Sequence, residues 1–229
     1  MRVARTAEEL SAAFDAGPIA ALLGLEGADP LEGKAENLRR FASLGVRDLI
    51  FAWNDNPFSG TAFGKDTPLT REGERLLGLA EDLGVMVDVS HLSDRAFDDV
   101  CRAATVPFIA SHSDCRALCP SLRNLTDPMI RRLADRGGVM GINLAPAFLD
   151  PEYRRLSAPL AEARQRPGIP EAERERLKRQ EMTIPRPPLD WVAKHVSHAI
   201  GVGGEDCVGL GGDLDGIVQT PQGIDGVAD

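Results

Sequence analysis

Six short, almost continuously apolar runs, each followed by an amphipathic stretch, constrain this chain more than any other feature. They are "IAALLGLEG" (19–27), "VRDLIFAW" (46–53), "VMVDVSH" (85–91), "PFIASHS" (107–113), "VMGINLA" (139–145) and "CVGLGGDLDG" (207–216). The intervening segments read as helices: 30–45 closed by Gly45, 70–84 capped by Thr70 and stopped at Gly84, 93–105 capped by Ser93, 126–138 capped by Thr126 or Asp127, and 189–201. The repeat of roughly thirty residues is that of a strand–helix–strand unit. Strands apolar on both faces belong to a parallel sheet covered by helices, so the expected class is α/β.

A doubly wound nucleotide fold would place a glycine-rich phosphate turn after its first strand. "GLEGADP" lacks that spacing, and "GVGGED" (201–206) precedes a strand instead of following one. The polar residues favour a barrel. Glu26, Trp53 with Asn54, His91, His112 and Asp213 each stand at the carboxyl end of a predicted strand. In a (β/α)8 barrel those ends converge on one mouth, where its active sites lie. His91 and His112, two of the four histidines, close successive runs in the same Ser-His pattern.

The net charge of −9 argues against a nucleic-acid partner, whose phosphates call for clustered Lys and Arg. Arginines in 164–179 are interleaved with glutamates, as on a solvated helix face. No apolar run approaches the ~20 residues of a membrane span, and "MRVARTAEEL" has no signal-peptide core. Cys101, Cys115, Cys119 and Cys207 lack a disulfide-framework density, so reduced thiols and a cytoplasmic setting are expected. Segment 149–188 breaks the repeat; it is charged and proline-punctuated, and reads as a surface insertion with one helix near 170–182.

A carboxylate and two imidazoles delivered by separate strands form a typical zinc or two-metal hydrolase set, with Glu26, His91 and His112 as candidate ligands. At these residues the sequence resembles the membrane (renal) dipeptidase family of zinc peptidases. "GLEGADPL", "LGVRDLIFAWN", "GVMVDVSHLSD", "PFIASHSDCRALCPSLRNLTD", "GGVMGIN" and "GLGGDLDG" match its blocks in order over residues 17–229. The resemblance implies a metallo-barrel that hydrolyses free dipeptides and tolerates a D-residue at the carboxyl side.

Carried over by motif, Glu26 resembles the carboxylate bridging two zinc ions, and His91 and His112 the other ligands of the second. Arg123 resembles the guanidinium that grips the substrate carboxylate, and Asp213 the group that exchanges protons with the attacking water and the leaving amine. Asp215 is expected to be a supporting or turn carboxylate, and His195 and His198 to be structural. Trp53 stands where mammalian members carry a histidine; with Asn54 it is expected to contact substrate without transferring protons.

The family's opening His-x-Asp zinc motif is absent from these 229 residues. The resemblance therefore implies about six of eight strand–helix units, a single barrel domain truncated at both ends, and at most one tightly bound zinc. The alternative is a catalytically inactive truncated barrel acting only through association, with homodimerisation as one way to cover open strand edges.

Overall fold

The computed structural model describes residues 1–17 and 19–228. It divides into two compact units, Met1–Ile109 and Ala110–Asp229. In the first, strand β1 (Arg2–Val3) is followed by α1 (Ala7–Ala16), whose N-cap Thr6 accepts from the Glu9 N–H at 3.2 Å. Then come β2 (Ala20–Ala21), β3 (Leu23–Glu26), α2 (Leu38–Leu44), β4 (Val46–Ile50), α3 (Arg71–Asp82), β5 (Met86–Asp88) and α4 (Asp94–Ala103). These strands pair in parallel, β1 with β2 and β3-β4-β5 in that order. Ile109 adds a parallel bridge to Asp88 on the free side of β5.

The helices form where capping and spacing direct them. Thr70 and Ser93 accept from the N–H of Gly73 and Ala96, three residues on, at 3.1 Å each. On α4 the residues Ala96, Phe97, Val100 and Cys101 recur at helical spacing and are all buried. Phe97 meets Phe108 edge to face, with centroids 6.2 Å apart.

The second unit holds α5 (Asp127–Asp135), β6 (Met140–Asn143), α6 (Pro146–Leu149), α7 (Pro151–Arg164), α8 (Glu171–Glu181), α9 (Asp190–Gly203) and β7 (Val208–Gly212). Thr126 is the N-cap of α5, accepting from the Met129 N–H. β6 and β7 pair in parallel, and Ala110 bridges to Met140. A methyl group at Gly141 or Gly211 would collide with the Ser111 carbonyl and the facing strand, so only glycine allows this approach.

The α/β class and parallel pairing match the sequence reading, but several details differ. The run 19–27 is two strands, broken at Leu22, that pair with different partners. The strand–helix pair β1–α1 lies outside the tally of six units. The ladder of run 46–53 ends at Ile50, leaving Trp53 in a loop, and run 107–113 contributes only the bridges at Ile109 and Ala110. Segment 149–188 is much more helical than expected. Its prolines suggested breaks, yet Pro151 occupies the first turn of α7, where no N–H partner is required, and Pro159 is carried inside the helix. An Arg164–Glu181 ion pair at 2.5 Å ties α7 to α8.

Candidate functional site

In the first unit Glu26 is the last residue of β3, with a side chain 49% exposed. His91 follows β5 by three residues and is buried. Its φ of +69° is left-handed, a conformation that costs a non-glycine residue energy and concentrates at functional positions. His91 Nε2 lies 3.0 Å from Glu26 Oε1.

The loop after β4 holds His91 in place: its carbonyl accepts from the Ala62 N–H and the Thr61 hydroxyl, both at 2.8 Å. That loop is organised in turn by Asp55, which accepts from the N–H of Thr61 and Lys65. Trp53 and Phe63, 40% and 41% exposed, flank the His91 ring with centroids 6.1 and 5.5 Å from it. Asn54 is exposed, whereas Asn56 shapes the turn by accepting from the N–H of Phe58 and Ser59.

The same three-stranded sheet holds two further carboxyls. Asp48 on β4 pairs with Met86, two residues before Asp88 on β5. Burial, followed by the charge of Asp88, pushes Asp48 up to about 7. Asp88 is fully buried and accepts from the Ser90 N–H at 2.8 Å.

The second unit carries the other predicted residues. His112 is buried, and its Nδ1 shares a 2.7 Å hydrogen bond with the Ser111 hydroxyl, which orients the ring. Arg123 is only 3% exposed; its Nη1 donates to Ser113 Oγ at 2.8 Å and its Nη2 to the His112 carbonyl at 2.6 Å. Asp114, wholly buried, accepts from the Asn143 N–H at 3.2 Å. Burial pushes its carboxyl well above the usual range, with the Arg123 charge pulling the other way.

Asp213 follows β7 with a left-handed φ of +59°, and its Oδ2 accepts from Asn143 Nδ2 at 3.0 Å. Asp215 is exposed, also with a left-handed φ. His195 is structural: Nδ1 accepts from the Cys115 N–H at 3.0 Å, so Nε2 carries the proton and donates to the Leu149 carbonyl at 2.9 Å. Burial lowers its pKa, keeping the ring neutral. His198 pairs with Asp127 at 2.8 Å. Burial pushes the Cys115 and Cys119 thiols up to about 12, which leaves neither as a thiolate ligand.

Sequence reasoning missed Phe63 and Thr61, which lie in an irregular loop, and Asn143. The available signal was a lone polar residue closing an otherwise apolar strand, which marks its position but not its partner. No helix is long and apolar enough to cross a membrane among the described residues.

Known proteins resemble this chain over almost its whole length. An uncharacterised protein encoded in the pqqA 5′ region of Klebsiella pneumoniae is 31% identical over 95% of this chain and 73% of its own length. An uncharacterised dipeptidase of Schizosaccharomyces pombe is 33% identical over 97% of this chain and 48% of its own. A metallopeptidase of Rhodobacter sphaeroides, solved with a phosphinate mimic of the dipeptide L-Ala-D-Ala, superposes with a TM-score of 0.78 at 31% identity, over 97% of this chain and 57% of that one. This chain thus spans about half the length of the named dipeptidase and of the solved enzyme. The family profile of membrane dipeptidase, peptidase family M19, matches residues 1–229, and the chain belongs to that family.

Proposed function

We propose that this chain carries the metal- and substrate-binding residues of a zinc-dependent dipeptidase built on an incomplete (β/α)8 barrel. The observation that carries the reading is the Glu26–His91 pair, a carboxylate oxygen and an imidazole nitrogen 3.0 Å apart, one at the end of β3 and the other just past β5, the two strands that flank β4. Two ligands of one tetrahedral zinc at ~2.0–2.2 Å stand about 3.3 Å apart, so this donor set fits the ion within a few tenths of an ångström. His112 is the third ligand. Supporting that assignment, each histidine follows a bridged residue, Asp88 or Ile109, by three positions.

Bound there, zinc supplies the Lewis acidity that activates water toward a peptide carbonyl. Arg123 binds the free carboxylate of the dipeptide, a role suited to a guanidinium already fixed by Ser113 and the His112 carbonyl. Asp213 takes the proton from the attacking water and delivers it to the leaving amine. Trp53 walls the side chain next to the scissile bond. Substrates of the L-Ala-D-Ala type, mimicked by the phosphinate in the Rhodobacter enzyme, are the class to try first.

The decisive experiment measures zinc per chain and hydrolysis of a dipeptide panel on the purified protein. About one zinc per chain together with cleavage of free dipeptides is the expected result. Zinc binding that survives alanine at both Glu26 and His91 would overturn the reading. Stoichiometric zinc without hydrolysis of any dipeptide would favour the inactive, association-only alternative.

A further inference from the structure

We propose that Asn143 is a positioning residue for Asp213, presenting its carboxylate in one orientation through an amide that the fold itself orients. This rests on the reading of Asp213 as the proton-transfer group.

Asn143 is the last residue of β6 and is 1% exposed. Its Oδ1 accepts from the Ala145 N–H at 2.6 Å, which fixes the sense of the amide: flipped, it would set N–H against N–H. The NH2 group therefore faces Asp213, donating to Oδ2 at 3.0 Å. Its backbone N–H donates to buried Asp114, so the residue is held at three points.

The β6–β7 register shifts between Ile142 and Asn143, so that Asn143 faces Gly212. Such irregularities re-aim side chains next to sites. Gly212 and Asp213 both take left-handed backbone, which turns the Asp213 carboxyl toward the amide. The far side is shaped too, because a methyl group at Gly216 would collide with Asp213 Oδ1. With Oδ2 occupied by the amide, Oδ1 is the oxygen assigned to proton transfer. A carboxylate that lost the amide could rotate about χ2 and mix the two oxygens.

A purely structural role for Asn143 would be its turn to Ala145, which an acceptor at this position preserves. Asn143→Asp and Asn143→Ser keep an acceptor and lose the amide donor. In the zinc-loaded full chain, each should lower kcat about 10²-fold, the scale of one lost preorganised donor. KM and zinc content should stay within twofold, and neither variant should add to the loss caused by Asp213→Asn. Independently of turnover, the Asn143 side-chain amide resonance should move in Asp213→Ala. Equal losses in the wild-type and Asp213→Asn backgrounds would overturn the proposal, as would an amide resonance indifferent to Asp213→Ala. If Asp213→Asn leaves turnover intact, the proton-transfer reading fails instead, and the amide resonance still decides whether Asn143 holds this carboxylate.

Discussion

The two units carry their chemistry in contrasting ways. In the first, Glu26 stands half exposed at a strand end, and two partly exposed aromatic rings flank His91. In the second, Arg123, His112 and Asn143 are all buried and joined by short hydrogen bonds to Ser113, Ser111 and Asp213. A half-exposed carboxylate suits exchange with ions and water, whereas a buried polar network suits groups whose orientation must not change during reaction. One trait is shared: each unit holds a reactive side chain on left-handed backbone, His91 in one and Asp213 in the other. Strain appears at the proposed chemistry in both.

The sharpest way to break this contrast is His91→Ala. Zinc binding depends on all deprotonated donors acting together, so content should fall from about one per chain to near zero by elemental analysis. His195→Ala in the second unit should leave zinc unchanged, although its ring is as deeply buried. Should the two variants lose metal alike, the assignment of the ligand role to His91 over His195 collapses.

Next in size is Arg123→Ala. Loss of a buried charge-assisted contact costs ~2–5 kcal/mol, and it should appear in kcat/KM for free dipeptides but much less for carboxyl-amidated ones. Equal penalties on the two substrates would mean that Arg123 does not read the substrate carboxylate.

The same His195→Ala variant gives the third effect. It leaves the Cys115 N–H and the Leu149 carbonyl without their ring partners. Unmatched buried polar groups cost ~1–3 kcal/mol each, so the chemical-denaturation midpoint should drop while zinc content holds. A midpoint equal to that of the wild type would show that water replaces the ring.

Much of this was legible in sequence because it depends on local rules. Thr70, Ser93 and Thr126 announce their helices by capping, and the Ser-His endings mark where imidazoles leave the sheet. The helix α7 was not legible, since Pro151 and Pro159 read as breaks until the Arg164–Glu181 pair and the burial of Tyr153 show what stabilises it. Nor was Asn143, whose role depends on a register shift that local pattern does not encode. The burial of Arg123 depends likewise on long-range packing. Local chemistry reveals which residues can react; their orientation depends on contacts far apart in the chain.

The smallest expected effect tests the contrast within the sheet interiors. Buried Asp114 in the second unit has the Arg123 charge acting on it, whereas Asp48 in the first has another carboxyl, Asp88. Asp48 is pushed up to about 7 in the folded chain, against ~3.9 when unfolded. Between those values the folded state binds more protons, so this group's contribution to stability falls as pH rises through the window. Below the unfolded value the penalty is absent, and above about 7 it is complete. Asp48→Asn mimics the protonated form at every pH. It should therefore raise stability at pH 8 by roughly 1–2 kcal/mol after allowance for solvent screening, and change little at pH 4. Urea unfolding at the two pH values reads this directly. A gain of equal size at both, or one confined to pH 4, would show that the Asp48 carboxyl is not held protonated by its burial and by Asp88.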